Sequence, residues 1–162
     1  MADESISTAN LCDRWGDELA IVELPLQRYG GRPAFAGPIA TCKVFEDNAL
    51  VRSTLEQPGQ GRVLVVDGGG SLRRALVGDQ LAALVTRNDW AGVVVYGAVR
   101  DTAQLADMDV GLFALGTHPR RGERRGEGAR DLPVTFGGVR FVPGHYLYAD
   151  GDGIVVSAFA FS

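Results

Sequence analysis

At 162 residues, 46% of them hydrophobic and 22% charged, the chain is long enough to bury one sizeable core and reads as a single domain over 1–162. A net charge of −4 gives no overall field to draw nucleic acid or an anionic membrane, so direct nucleic-acid binding is not expected. Two cysteines, Cys12 and Cys42, are too few for a disulfide framework, and neither a signal core nor an apolar run of spanning length is visible. The reading is a cytoplasmic protein with reduced thiols.

The 22 glycines suggest tight turns between short apolar strands. In chain order, Ser7-Thr8 opens a short helix ending at Gly16, and Phe35 to Phe45 has strand character. Asn48 begins a helix over 49–57, which Pro58-Gly59 stops. Arg62 to Asp67 is a buried strand broken by Gly68-Gly69-Gly70. A helix over 79–88, a strand over 92–96, a helix over 102–108 and a strand over 110–115 follow. This alternation predicts right-handed crossovers and a parallel sheet portion. Residues 118–131 are charged and glycine-rich and read as a surface loop. From Leu132 onward, short strands separated by tight turns predict an antiparallel, β-rich second layer.

The most informative feature is Arg100-Asp101, directly after the apolar run Val93 to Val99. Such a run places a guanidinium and a carboxylate at the C-terminal edge of a strand, where open α/β sheets bind ligands. One helix upstream stands Gly78-Asp79-Gln80-Leu81. There Asp79 could simply cap a helix whose apolar face is Leu81, Leu84 and Val85. Alternatively, the free amides of Gln80 and Leu81 could receive a substrate carboxylate. Gly68-Gly69-Gly70-Ser71 lacks the Gly-Lys-Ser/Thr ending of a phosphate loop, and Asp150-Gly151-Asp152-Gly153 lacks the downstream glutamate of a calcium loop and reads as a hairpin turn. Arg120, Arg121, Arg124 and Arg125 form a basic cluster diluted by Glu123 and Glu127 and read as a solvated or subunit-contact loop. His118 and His145 have no triad partners, and Trp15 and Trp90 read as packing residues.

Five segments together resemble one family: Phe45 to Asn48, Arg62 to Gly70, Gly78 to Leu81, Gly97 to Asp101, and Leu147 to Gly153. They are similar to regulators of ribonuclease activity of the RraA-like type and to metal-dependent 4-hydroxy-4-methyl-2-oxoglutarate aldolases. The aldolase members carry an Asp, twenty residues and then Arg-Asp; here Asp79, residues 80–99 and Arg100-Asp101 match that spacing in full. The resemblance implies an α/β/β sandwich of the swivelling-domain type with a β-rich C-terminal part, assembled as a homotrimer. It further implies catalytic Arg100 and Asp79, and a substrate-binding set of Gly78, Asp79, Gln80, Leu81 and Arg100. Asp101 would hold a divalent cation, Mg²⁺ or Mn²⁺. The implied reaction is cleavage of a 2-keto acid to pyruvate, with oxaloacetate decarboxylation alongside. The alternative is a protein inhibitor of a ribonuclease E-type endonuclease.

Overall fold

The computed structural model describes residues 6–161. Helix α1 (Thr8–Trp15) is capped by the Ser7 hydroxyl, which accepts from the Asn10 amide at 3.1 Å. Strands β1 (Ala20–Ile21) and β2 (Gln27–Arg28) lead to β3 (Phe35–Lys43), α2 (Ala49–Leu55) and β4 (Val63–Asp67). Then come β5 (Ala75–Val77), α3 (Asp79–Arg87), β6 (Gly92–Val99), α4 (Thr102–Ala106) and β7 (Leu112–Thr117). The chain closes with β8 (Ala129–Arg130), β9 (Val134–Phe136), β10 (Val139–Phe141), β11 (Tyr146–Asp150) and β12 (Gly153–Ser157). No helix among the described residues is long and apolar enough to cross a membrane.

One curled sheet runs in the order β1-β12-β11-β3-β4-β6-β7-β2, with β5 joined to β6 and β8 to β3. Strands β3, β4, β6 and β7 are parallel, and the flanks are antiparallel. The strand alternation divides the core in two. Leu64, Val66, Val93 and Val95 face α2, α3 and α4, together with Leu55, Leu81, Val85 and Leu105. Val63, Val65 and Val94 face the other way, onto Phe136 and Phe141 of the β9–β10 hairpin and Leu147 and Val156 of β11 and β12. The result is the expected α/β/β layering: helices, a mostly parallel sheet, and a second β layer. Each fully buried Val or Leu of this kind contributes roughly 1.5–3 kcal/mol. Phe35 fills a slot that only glycine leaves open, since a Cβ at Gly92 or Gly111 would lie 2.5 or 2.4 Å from its ring.

Strands β1, β2, β5 and β8 are not among the expected elements, and two further segments differ from expectation. Strand β6 continues past Tyr96 to Val99, because Ala98 and Val99 are fully buried and pair with both β5 and β7. The 118–131 segment is exposed but far from free. Gly122 N donates to Ala75 O at 2.8 Å, Glu123 N to Glu46 O at 2.8 Å, and β8 pairs with β3.

Candidate active site

The site forms where β5 and β6 end side by side. Arg100 N donates to Val77 O at 3.0 Å, which brings the start of α3 against the residues that follow β6. Gly78 stands at the N-cap position of α3 in extended backbone and has no side chain to cap with. Asp79 is the first helical residue and not the cap, so the simple capping role open to it in the sequence goes to another residue. The carboxylate comes from Asp101, whose Oδ2 accepts from Asp79 N at 3.0 Å. Asp101 itself sits in left-handed backbone, φ 63° and ψ 42°, a conformation that Asp adopts more readily than most side chains. The Gln80 and Leu81 amides precede the first intrahelical bond, from Ala82 N to Gly78 O, and so remain free to receive an anion at the positive end of the helix.

Arg100 is half-buried, and its Nη1 donates to Pro119 O at 3.2 Å. No carboxylate pairs with it among the described residues. All the predicted site residues, Gly78, Asp79, Gln80, Leu81, Arg100 and Asp101, line one cleft of about 450 Å³. Its remaining lining includes Asn48, Arg52, Arg121 and Arg124, which sequence reasoning did not place there. The arginine pairs of the 118–131 segment were the available signal, but only the fold shows where they turn.

What holds that segment is Asp47, which is buried. Its carboxylate accepts from the amides of Ala49 at 3.0 Å, Arg125 at 2.9 Å, Gly126 at 3.3 Å and Glu127 at 3.4 Å. Burial pushes this carboxyl up, but the amide donors of Ala49, Glu127, Arg125 and Gly126 outweigh it and hold the pKa below the ordinary value. A depressed folded pKa adds stability above the unfolded pKa, and that stability is lost as pH falls through the folded value. Acid unfolding below about pH 4 is therefore expected to be shallower in Asp47→Ala than in the parent. At neutral pH the same variant should unfold more easily by about 2–4 kcal/mol in denaturant titrations, since several amides lose a charged acceptor.

The amides of Gly68, Gly69, Gly70 and Ser71 are all used internally, by Tyr96 O, the Asp67 carboxylate, Tyr96 O and Gly68 O. The triple glycine therefore offers no phosphate cradle. A larger groove of about 770 Å³ is lined by Lys43, Phe45, Asp67 and Tyr96, and none of the predicted site residues faces it. Size does not decide between the two; the convergence of a guanidinium, two carboxylates and a helix N-terminus favours the smaller cleft. Cys42 is buried and its thiol is pushed up to about 12, which leaves it unreactive. The Asp150 turn is a β11–β12 hairpin in which the carboxylate also accepts from Thr8 N at 2.8 Å, tying α1 to the sheet.

Comparison with known proteins identifies the family. The family model RraA-like (Aldolase/RraA) matches residues 8–156. A protein of Aromatoleum aromaticum, named "Putative 4-hydroxy-4-methyl-2-oxoglutarate aldolase", is 59% identical over 150 residues, covering 93% of this chain and 94% of its own. One of the same name from Burkholderia multivorans is 56% identical, covering 95% and 97%. A Geobacillus kaustophilus crystal structure described as an S-adenosylmethionine:2-dimethylmenaquinone methyltransferase superposes with a TM-score of 0.94 at 51% identity, covering 96% of this chain and 97% of that one. The RNA-processing inhibitor RraA from Thermus thermophilus superposes with a TM-score of 0.92 at 46% identity, covering 96% and 94%. With its layering, its Asp79 to Arg100-Asp101 spacing and these matches, the chain belongs to the RraA-like family of aldolases and RraA proteins.

Proposed function

We propose that the cleft is the active site of a cytoplasmic lyase that cleaves 4-hydroxy-4-methyl-2-oxoglutarate to pyruvate and decarboxylates oxaloacetate as a side reaction. The observation that carries this reading is the meeting of Asp79, Arg100, Asp101 and the α3 N-terminal amides in one cleft. The Gln80 and Leu81 amides receive the carboxylate next to the keto group. Arg100 donates to the keto oxygen, where negative charge grows as the C3–C4 bond breaks. Asp79, through a water, accepts the proton of the substrate hydroxyl and returns it to the enolate carbon. Oxaloacetate yields the same enolate on losing CO₂, which accounts for the side reaction.

Asp101 is the residue that would hold Mg²⁺ or Mn²⁺, and its hard oxygen donor fits such an ion. No cluster of three or more His, Cys, Asp or Glu stands ready for a metal among the described residues, so water and the substrate's own oxygens would complete the coordination. When bound, the cation supplies Lewis-acid polarisation of the 2-keto group. The chain's single lysine, Lys43, lines the other groove, so the cleft has no amine for a Schiff base.

The test is pyruvate release from both substrates, with Mg²⁺ and in chelator-treated buffer. Metal-dependent turnover that disappears in Arg100→Ala is expected; equal turnover by parent and variant would sink the assignment. The assembly we propose is a homotrimer, to be read as a threefold mass by light scattering. A second reading rests on the 46% identity to the Thermus thermophilus inhibitor. In it, outer surfaces of the same protein dock an RNA-degrading endonuclease, and protein that is inert towards both keto acids yet binds such an enzyme would favour it.

A further inference from the structure

The 118–131 segment sorts its charges between two surfaces. Glu123, Arg125 and Glu127 line the larger groove, where Glu123 pairs with Arg74 at 3.0 Å and Glu127 with Arg125 at 3.7 Å. Arg121 and Arg124 instead line the cleft that holds Asp79, Arg100 and Asp101. The glutamates that seem in sequence to dilute the basic cluster are thus spent elsewhere. Within the cleft Arg52 is matched by Glu56 at 3.4 Å. Arg100, Arg121 and Arg124 have no carboxylate partner among the described residues. Three unpaired guanidiniums stand against two carboxylates, before any divalent cation is counted. The guanidiniums outnumber the carboxylates by one, which a monoanionic keto acid would offset; a bound divalent cation would add positive charge for a second carboxylate.

The two arginines also sit on fixed backbone. Arg121 lies between Arg120, whose carbonyl accepts from Ala75 N at 2.7 Å, and Gly122, whose amide donates to Ala75 O at 2.8 Å. Arg124 lies between Glu123, held by Glu46 O and Asn48 N, and Arg125, whose amide donates to Asp47. Their guanidiniums stay free: Arg121 Nη1 makes one long bond, 3.4 Å, to Gly122 O, and Arg124 makes no side-chain hydrogen bond among the described residues. Fixed stems with unsatisfied forks are suited to gripping a planar carboxylate.

We infer that Arg121 and Arg124 form a subsite for a second, distal carboxylate, so that the cleft selects 2-keto diacids with a five-carbon main chain over 2-keto monoacids. The inference deepens the aldolase reading, but its test does not depend on turnover. Calorimetric titration in magnesium-containing buffer compares 2-oxoglutarate with 2-oxopentanoate, which have the same chain length and differ in the distal carboxylate. Neither carries the hydroxyl needed for cleavage. The parent is expected to bind the diacid about 10- to 100-fold more tightly. In the double variant Arg121→Ala/Arg124→Ala that preference should fall to within about twofold while affinity for 2-oxopentanoate stays unchanged. Lysine at both positions should restore part of it, and raising salt from about 0.05 to 0.5 M should shrink it in the parent. Both side chains are exposed, so the double variant should keep its melting temperature. A parent that does not discriminate, or a double variant that still does, overturns the subsite. Discrimination in a protein that releases no pyruvate would instead keep the subsite and sink the aldolase.

Discussion

Asp101→Asn should leave a folded protein that has lost pyruvate formation by about 10³-fold or more. Asparagine tolerates the left-handed backbone at this position, φ 63°, almost as well as aspartate. It also keeps an oxygen to accept from the Asp79 amide, now at 3.0 Å. What it removes is the negative charge on which a hard cation depends. Asp101→Ala is a poorer probe, because it adds backbone strain and leaves the α3 amide without an acceptor. Unchanged thermal unfolding with no activity and no Mg²⁺ dependence would support the metal role; full activity in Asp101→Asn would reject it. Arg100→Ala should be equally inactive but should retain binding of Mg²⁺. Asp79→Ala, which removes only the proposed proton relay, should slow turnover by about 10²-fold.

How far the sequence could lead to this arrangement depended on the range of each interaction. The apolar run before Arg100 and the 3.6-residue pattern of α3 are local signals, and Leu81, Leu84 and Val85 are buried as that pattern requires. The parallel core and the β-rich second layer were legible for the same reason. Strands β1, β2, β5 and β8 were not, since two or three residues carry no alternation to read. β5 matters most among these, because Val77 is what brings Gly78 beside Arg100. The exchange of capping roles between Asp79 and Asp101 is a contact across 22 residues, and helix-start rules that look only at neighbouring positions cannot see it. The same holds for Asp47, whose amide donors lie up to 80 residues away, and for the turning of Arg121 and Arg124 into the cleft. A loop's composition shows that it is polar; its contacts decide which surface its charges serve.

The close fit at Gly78 yields the second large effect. A Cβ there would stand 2.6 Å from Asp101 Oδ2 and 3.3 Å from Arg100 Cγ. The backbone is no obstacle, since Gly78 has φ −131° and ψ −161°, extended values open to any residue. The clash therefore falls on the two side chains to which the proposed reaction assigns the cation and the keto oxygen, not on the chain path. The Asp101 carboxylate is short and held by the Asp79 amide, so it can yield only by turning out of its position. Displacement of about 1 Å at a reacting group costs about 10²-fold in rate. Gly78→Ala is thus expected to lower kcat by about that factor, with a stability loss of roughly 1 kcal/mol or less from the half-buried helix start. Because Arg121 and Arg124 are untouched, the variant should still prefer 2-oxoglutarate over 2-oxopentanoate while binding both more weakly. A Gly78→Ala protein with parental kcat would mean that Asp101 has no fixed position to lose, and that the cleft is not built around it.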